Sequence, residues 1–203
     1  MKLLPKLENY IKGLDVNEIP ETRIPVLLEL RNYIQEKRAE SQKVRLNFIC
    51  THNSRRSHLT MIWAATAAAY QGIEGIETLS GGTEATAFNP RAVKAIETAG
   101  FEVQNPGGDN PKYQVFFSQE AQPLVCFSKK FDDDANGKEP YAAVMTCSHA
   151  DENCPFIPEA DARFPVRYED PKEFDDTPQE TEMYDLRCRQ IATEMLYVFQ
   201  QLV

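Results

Sequence analysis

A strand pattern, a short loop and an amphipathic helix follow one another between Val44 and Gly72, and this unit constrains the fold more than any other segment. Apolar and polar residues alternate in VRLNFI, as is typical of a β-strand. The loop CTHNSRR follows, and apolar side chains then recur at helical spacing from Leu59 to Tyr70, with Gly72 as a stop signal. Cys50 is therefore expected where a strand ends and a loop leads to a helix N-terminus.

The rest of the chain continues this alternation of strands and helices. Further strand patterns are IETLS (76–80), FEVQ (101–104) and YAAVMT (141–146), and further helices are expected from Pro90 to Gly100 and from about Pro178 to Leu202. Such alternation indicates an α/β fold with a parallel-stranded sheet flanked by helices. Ligands bind at the carboxyl ends of strands in these sheets, where Cys50 and Cys147 are both expected.

Two regions stand outside this alternation. YQVFF and PLVCFS predict two short strands of an inserted β excursion, at about 105–140. Residues 1–43 predict an N-terminal helical extension of the main domain, 44–203, with helices from Leu3 to Lys12 and from about Glu21 to Arg38. The second helix carries an apolar stripe, formed by Ile24, Leu27, Leu28, Leu30, Tyr33 and Ile34. Such a stripe needs a partner, either the main domain or a second copy in a homodimer through these helices.

Charge and cysteine content restrict the partners. The net charge of −9 argues against nucleic acid or an anionic membrane as a binding partner, because like charges repel. The chain has no apolar run long enough to cross a bilayer and no secretory signal, so we expect a cytoplasmic protein with no membrane partner. In the cytoplasm, its five cysteines are not expected to form a structural disulfide framework. Acidic residues are absent from Ser41 to Ile73, and this gap marks a candidate anion site. The basic residues within it are Lys43, Arg45, Arg55 and Arg56.

The segment CTHNSRRS, from Cys50 to Ser57, fits the pattern C-x5-R-S. Five intervening residues allow the loop to curl into a cup of backbone N–H groups beside a helix N-terminus. Arg56 offers a planar fork that matches two oxygens of a phosphate-like anion, and the same field favours a nucleophilic thiolate at Cys50. We expect oxyanion binding from the rest of the loop, namely Thr51, His52, Asn53, Ser54, Arg55 and Ser57. The alternative is a buried, inert cysteine with an unrelated arginine nearby.

These residues resemble the low-molecular-weight protein tyrosine phosphatases and, within that group, the thioredoxin-coupled arsenate reductases. The loop matches the family at Cys50, Asn53, Arg56 and Ser57, and LSGGTEATAFNPRAVKAIETAGFEV (79–103) is similar to the family's second strand and following helix. The resemblance covers about 44–203 apart from the excursion. His52 replaces the usual glycine, and it either tunes the thiolate or faces solvent. Met61 replaces an acidic residue that helps to bind potassium in the arsenate reductases, so we expect no potassium site. We also expect no other metal and no cofactor.

An Asp-Pro pair forms the second element of the expected site. Pro171 biases Asp170 towards an extended conformation, and a carboxyl group held there can protonate a leaving oxygen. By itself the pair could equally be an ordinary acidic turn. The resemblance implies that Asp170 is the general acid.

Cys147 and Cys154 form the third element, since they lie seven residues apart after a strand, as in the redox segment of the arsenate reductases. The resemblance implies a relay in which Cys50 attacks arsenate and Cys147 then attacks Cys50, releasing arsenite. Cys154 next forms a disulfide with Cys147, which a thioredoxin-like partner reduces. Cys126 and Cys188 lie in apolar patterns and are expected to be packed thiols.

Other interpretations stay open from the sequence. The pair of cysteines could be a coincidence in a phosphatase that acts on phosphotyrosine or a small phosphoester through a phosphocysteine. Cys147, His149 and Cys154 could bind a metal, although their spacing is unusual for zinc and a fourth ligand is missing. A non-enzymatic oxyanion sensor or redox-regulated binding module is the third candidate function.

Overall fold

A computed structural model describes residues 1–153 and 156–202 of the chain. Its strands are β1 (Val44–Cys50), β2 (Ile76–Gly82), β3 (Glu102–Gln104), β4 (Tyr113–Phe116), β5 (Leu124–Cys126), β6 (Tyr141–Met145) and β7 (Ala160–Phe164). Its α-helices are α1 (Pro5–Lys12), α2 (Ile24–Ala39), α3 (Arg56–Tyr70), α4 (Pro90–Ala99), α5 (Ser148–Asn153) and α6 (Glu180–Gln200). Short 3₁₀ helices occupy Val16–Glu18, Glu21–Arg23, Asp134–Asn136 and Pro171–Phe174.

The main sheet has four parallel strands in the order β2-β1-β6-β7, flanked by helices. This confirms the predicted fold class. All seven residues of β1 are buried, because it lies between two neighbours. Ile49 pairs with Met145, so the carboxyl ends of β1 and β6 lie side by side and carry Cys50 and Cys147 to the same edge.

The sequence analysis did not find β7, the edge strand ADARF. Its two alanines and two charged residues give little apolar alternation, and only Phe164 is buried. An edge strand of this kind is specified by pairing with β6 rather than by its own pattern.

The predicted excursion is confirmed as strands, and it forms part of a second, antiparallel sheet in the order β3-β4-β5. The expectation that FEVQ joins the parallel sheet is wrong, because Val103 pairs with Val115 of β4 instead. This small sheet contributes Val115 and Cys126, both fully buried, to the main core.

The N-terminal helices pack against the rest of the same chain. Leu27, Leu30 and Ile34 on the stripe of α2 are fully buried in the core, and α2 contacts β1, β7 and α6. Helix α2 begins three residues later than expected, after the 3₁₀ turn Glu21–Arg23. The stripe therefore finds its partner within the chain, and a homodimer through these helices stays a prediction.

Helix α4 has the expected ends. The side chain of Asn89 accepts from the backbone N–H of Arg91, Pro90 occupies the first turn, and Gly100 ends the helix at φ +112°. A Cβ at Gly100 would lie 2.5 Å from the backbone nitrogen of Leu7, so glycine also allows the N-terminal segment to approach. In the parts of the chain that the structure describes, no helix is long and apolar enough to cross a membrane.

Candidate active site

The loop between β1 and α3 is organised around Asn53, which is fully buried at φ +44°. Its Nδ2 donates to Oγ of Ser57 over 2.9 Å, and its Oδ1 accepts from the backbone N–H of Lys129 over 3.0 Å. Oγ of Ser57 lies 3.1 Å from Sγ of Cys50. Because Ser57 accepts a hydrogen from Asn53, its own hydroxyl hydrogen is free to point at the sulfur of Cys50.

The end of β2 closes tightly over this loop. A Cβ at Gly82 would lie 2.7 Å from the backbone nitrogen of Asn53 and 2.7 Å from the carbonyl oxygen of Thr51. Only glycine permits this approach without moving the backbone. The pattern LSGG marked this strand, but nothing in it indicated which backbone the glycine meets.

Two further residues fasten the outside of the loop. The hydroxyl of Ser54 donates to the carbonyl of Ala87 over 2.7 Å, and the carbonyl of His52 accepts from the hydroxyl of Ser128 over 2.8 Å. Ser128 and Lys129 lie two and three residues after the end of β5, so the segment that follows the small sheet holds this loop. The side chain of Ser54 therefore helps to hold the loop in place, and its expected part in oxyanion binding stays a prediction.

The side chain of His52 lies at the surface, 41% exposed, with Nε2 3.4 Å from a carboxylate oxygen of Glu84. This position agrees with the interpretation that His52 faces solvent rather than with a role in tuning the thiolate of Cys50.

Arg55 is directed away from the cup. Its Nε donates to the hydroxyl of Tyr184 over 2.7 Å and its Nη2 to Asp175 over 3.3 Å, and only 11% of its side chain is exposed. The side chain of Arg55 is thus engaged by Tyr184 and Asp175, and its expected part in oxyanion binding stays a prediction. Arg55 attaches the loop to α6, because Tyr184 lies on that helix and itself donates to Asp175 over 2.7 Å.

Arg56 lies against the Asp-Pro segment. Its Nη1 donates to the carbonyl of Tyr168 over 3.0 Å and its Nη2 to Oδ2 of Asp170 over 2.6 Å. Its Nε is buried and has no partner among the described residues. The other carboxylate oxygen of Asp170 accepts from the backbone N–H of Lys172 over 3.1 Å, at the start of the 3₁₀ turn Pro171–Phe174. The structure thus brings together the two residues expected to bind the oxyanion and to act as acid.

Cys147 follows β6 and is 1% exposed. Its sulfur accepts from the backbone N–H of Ala150 over 3.3 Å and lies 3.5 Å from Oγ1 of Thr51. The same Thr51 hydroxyl is 3.2 Å from Nδ1 of His149, which is exposed. Cys147 and Cys50 belong to one small apolar cluster at this edge of the sheet, whereas Cys154 lies outside the described residues.

Sequence reasoning missed the two polar partners that connect these elements. The hydroxyl of Thr51 and the carbonyl of Tyr168 had no signal in the sequence, because a backbone carbonyl is present at every residue and Thr51 was one loop residue among several. His149 was considered only as a metal ligand. Within residues 1–153 and 156–202, no three His, Cys, Asp or Glu residues are grouped to hold a metal ion.

The remaining described cysteines have the surroundings of core thiols. Cys126 and Cys188 are fully buried, and burial raises the pKa of each thiol to about 12. Nε1 of Trp63 donates to the sulfur of Cys188 over 3.2 Å. Beside the loop, burial also lowers the pKa of His58 to about 3, so this histidine is neutral.

Comparison with known proteins shows which proteins the chain is similar to. No protein-family model matches the chain. An arsenate reductase from Staphylococcus aureus (strain bovine RF122 / ET3-1) is 30% identical over 116 residues, which cover 57% of this chain and 70% of that protein. Arsenate reductase 2 of Staphylococcus epidermidis (strain ATCC 35984) is 26% identical over 129 residues, 64% of this chain and 79% of that protein.

Among solved structures, the low-molecular-weight protein tyrosine phosphatase from T. tengcongensis aligns over 78% of this chain and 99% of its own, with 19% identity and a TM-score of 0.53. At 19% identity this likeness shows a shared fold only, whereas the arsenate reductase from Staphylococcus aureus is also similar in sequence. The chain therefore has the fold of the low-molecular-weight protein tyrosine phosphatases, and it belongs to the arsenate reductase family of enzymes.

Proposed function

We propose that this protein reduces arsenate to arsenite, with Cys50 as the nucleophile and Cys147 and Cys154 as the redox pair. The observation that carries the proposal is the position of Cys147, whose sulfur lies 3.5 Å from the hydroxyl of Thr51, the residue next to Cys50. Phosphoester hydrolysis through a phosphocysteine requires only one thiol, so it does not account for a second thiol at the oxyanion loop. The names of the curated relatives support the same reaction.

In the first step the thiolate of Cys50 attacks arsenic, and an As–O bond breaks as water departs with a proton from Asp170. Arg56 and the loop N–H groups stabilise the negative charge on the remaining oxygens. The thiolate of Cys147 then attacks the sulfur of Cys50. The Cys50–Cys147 bond forms, the S–As bond breaks, and its electron pair stays on arsenic, which becomes arsenite while the two thiols are oxidised.

In the second step the thiolate of Cys154 attacks Cys147 and releases Cys50 as a thiolate. The resulting Cys147–Cys154 disulfide needs an external dithiol, and we propose a thioredoxin-like reductant for this role. Each cycle then transfers two electrons from the reductant to arsenic. Cys50 returns to its starting state.

The second candidate is phosphatase activity on an aryl or small phosphoester. The contact of Asp170 with Arg56 serves this reaction as well, because a carboxyl group next to the oxyanion clamp is placed to protonate an ester oxygen. In this reaction Cys50 forms a phosphocysteine that water hydrolyses. Cys147 and Cys154 are then dispensable.

Thiol mapping by mass spectrometry distinguishes these reactions. Reduced protein is incubated with arsenate, and free thiols and disulfides are assigned by peptide. Arsenate reduction predicts a Cys147–Cys154 disulfide, free Cys50 and one arsenite per disulfide. Cys126→Ser is the matched control, because it removes a buried thiol that has no part in the relay, and it should give the same products.

Loss of Cys147 provides the complementary test. Cys147→Ser should stop the reaction before any disulfide forms and release no arsenite. Unchanged arsenite release in this variant would refute the relay. If wild-type protein forms no disulfide with arsenate but yields phosphorylated Cys50 from an aryl phosphate, the protein is a phosphatase. If neither the disulfide nor the phosphocysteine forms, an oxyanion-binding module is left.

A further inference from the structure

The N-terminal extension reaches the active site through Arg23, the last residue of the 3₁₀ turn before α2. Its Nε and Nη2 donate to the two carboxylate oxygens of Glu194 on α6, over 2.9 and 2.7 Å. The side chain of Glu194 is only 1% exposed and that of Arg23 is 19% exposed. This two-bonded geometry holds the guanidinium plane in one orientation.

Arg23 also lies over the ring of Tyr168. Its guanidinium carbon is 5.1 Å from the ring centroid, and Tyr168 is 4% exposed. A cation at this distance from an aromatic face is attracted to it, more strongly where water is excluded. Burial opposes the charge on Arg23, but the contact with Glu194 raises its pKa, so Arg23 stays a cation. The ring of Tyr168 is therefore held from the side of the N-terminal extension.

The backbone of Tyr168 in turn holds Arg56. Its carbonyl accepts from Nη1 of Arg56 over 3.0 Å, and its own N–H donates to the carbonyl of Thr146 over 3.1 Å. Two residues further along, Asp170 accepts from Nη2 of the same guanidinium. Movement of the Tyr168 ring would therefore shift the acceptors that orient Arg56 and the position of Asp170 together.

We propose that Arg23 is a positioning residue for the Arg56–Asp170 pair, so that the N-terminal extension completes the oxyanion site. The role rests on the proposed function of Arg56 as the oxyanion clamp. Arg23 touches neither substrate nor sulfur, and it acts through the ring and the carbonyl of Tyr168.

The test uses inorganic phosphate binding to the reduced full-length protein, measured by calorimetry, because this readout needs no turnover. Arg23→Met alone leaves the buried carboxylate of Glu194 unpaired and can unfold the protein. The informative variant is therefore Arg23→Met with Glu194→Met, which removes both charges. We expect phosphate affinity to fall about tenfold, the effect of losing the orientation of one charged hydrogen bond. Arg23→Lys keeps the cation and should recover part of the loss.

Arg189→Met is the matched control. Arg189 also joins the N-terminal extension to α6, since its Nη2 donates to the carbonyl of Gly13 over 2.9 Å, but no described contact links it to Tyr168. It should leave phosphate affinity unchanged, and thermal denaturation should show that every variant is folded. Tyr168→Leu should weaken binding as the double variant does, and combining it with the Arg23 and Glu194 changes should add nothing further.

A folded Arg23→Met/Glu194→Met protein with wild-type phosphate affinity would overturn the inference, as would an equal loss in Arg189→Met. Wild-type protein that binds no phosphate would overturn it as well. If phosphate binds and depends on Arg23 while arsenate produces no disulfide, the proposed reduction fails and the positioning role stands.

Discussion

Arg56 donates through Nη2 to Oδ2 of Asp170 over 2.6 Å, so the proposed oxyanion clamp and the proposed acid contact each other directly. Nη1 of Arg56 is bound to the carbonyl of Tyr168, and Nε alone has no partner among the described residues. A tetrahedral anion that uses the fork of Arg56 must therefore compete with a carboxylate. The side chain of Arg56 is 12% exposed and that of Asp170 is 25% exposed. Because both are partly buried, salt screens the competition between the anion and the carboxylate only weakly.

Asp170→Asn should affect binding and turnover in opposite directions. Removing the negative charge frees Arg56, so the dissociation constant for inorganic phosphate should fall several-fold, whereas turnover should drop by about 10² to 10⁴, the usual contribution of a general acid. Calorimetry and arsenite release measure the two effects. Asp176→Asn is the control, because this side chain is 88% exposed and pairs with Arg91 instead. Weaker phosphate binding by Asp170→Asn would contradict the competition between the carboxylate and the anion.

Thr51→Val should slow the attack of Cys147 on Cys50. It removes the hydroxyl that lies 3.5 Å from the sulfur of Cys147 and 3.2 Å from Nδ1 of His149. Loss of one hydrogen bond, about 1 kcal/mol, predicts a roughly fivefold slower formation of the Cys50–Cys147 disulfide. Rapid alkylation followed by mass spectrometry measures this step in a Cys154→Ser background, which stops the relay there.

Thr51→Ser keeps the hydroxyl and should retain most of the wild-type rate. Phosphate affinity should change little in either variant, because the carbonyl of Thr51 still accepts from the backbone N–H of Glu84 over 2.8 Å. Wild-type kinetics of disulfide formation in Thr51→Val would argue against a role for this hydroxyl.

Cys126 and Cys188 should resist alkylation in the folded protein. Both are fully buried, and at pH 8 a thiol with a pKa of about 12 is thiolate in roughly one molecule in 10⁴. Iodoacetamide should therefore modify Cys50 first, and the two core thiols only when guanidinium unfolds the chain. Peptide mapping against time measures the order. Labelling of Cys126 or Cys188 before Cys50 would show that the core around them opens without global unfolding.

His58 should make the protein less stable in acid. Its folded pKa of about 3 lies below the unfolded value of about 6.5, so the unfolded chain binds the extra proton between these values. The stabilisation is fully present above pH 6.5 and is lost as pH falls towards 3, by about 1.4 kcal/mol for each pH unit.

His58→Gln should flatten this dependence, because an amide does not titrate and its nitrogen can still donate to the carbonyl of Phe127, as Nε2 of His58 is placed to do over 3.2 Å. Urea unfolding between pH 4 and 7 gives the free energies. His149→Gln, at an exposed histidine, controls for the loss of one imidazole. The prediction is wrong if His58→Gln shows the same dependence on pH as the wild type, or if His149→Gln flattens it equally.

Local patterns in the sequence determined the elements that carry the chemistry. The alternation in VRLNFI and the helical spacing after Ser57 placed Cys50 between a strand and a helix, as found. Asn89, Pro90 and Gly100 marked both ends of α4 because caps and stops depend on residues adjacent in the chain. The parallel sheet followed from the order of these elements.

The tertiary structure alone decided which elements meet. It paired FEVQ with β4, added the edge strand β7, and turned Arg55 towards Tyr184 while its neighbour Arg56 meets Asp170. Each arginine contacts a residue more than a hundred positions away in the chain. No periodicity within a segment can indicate such a contact. Side-chain direction and strand pairing are set by packing and burial across the whole core, whereas the segments themselves are set by their own residues.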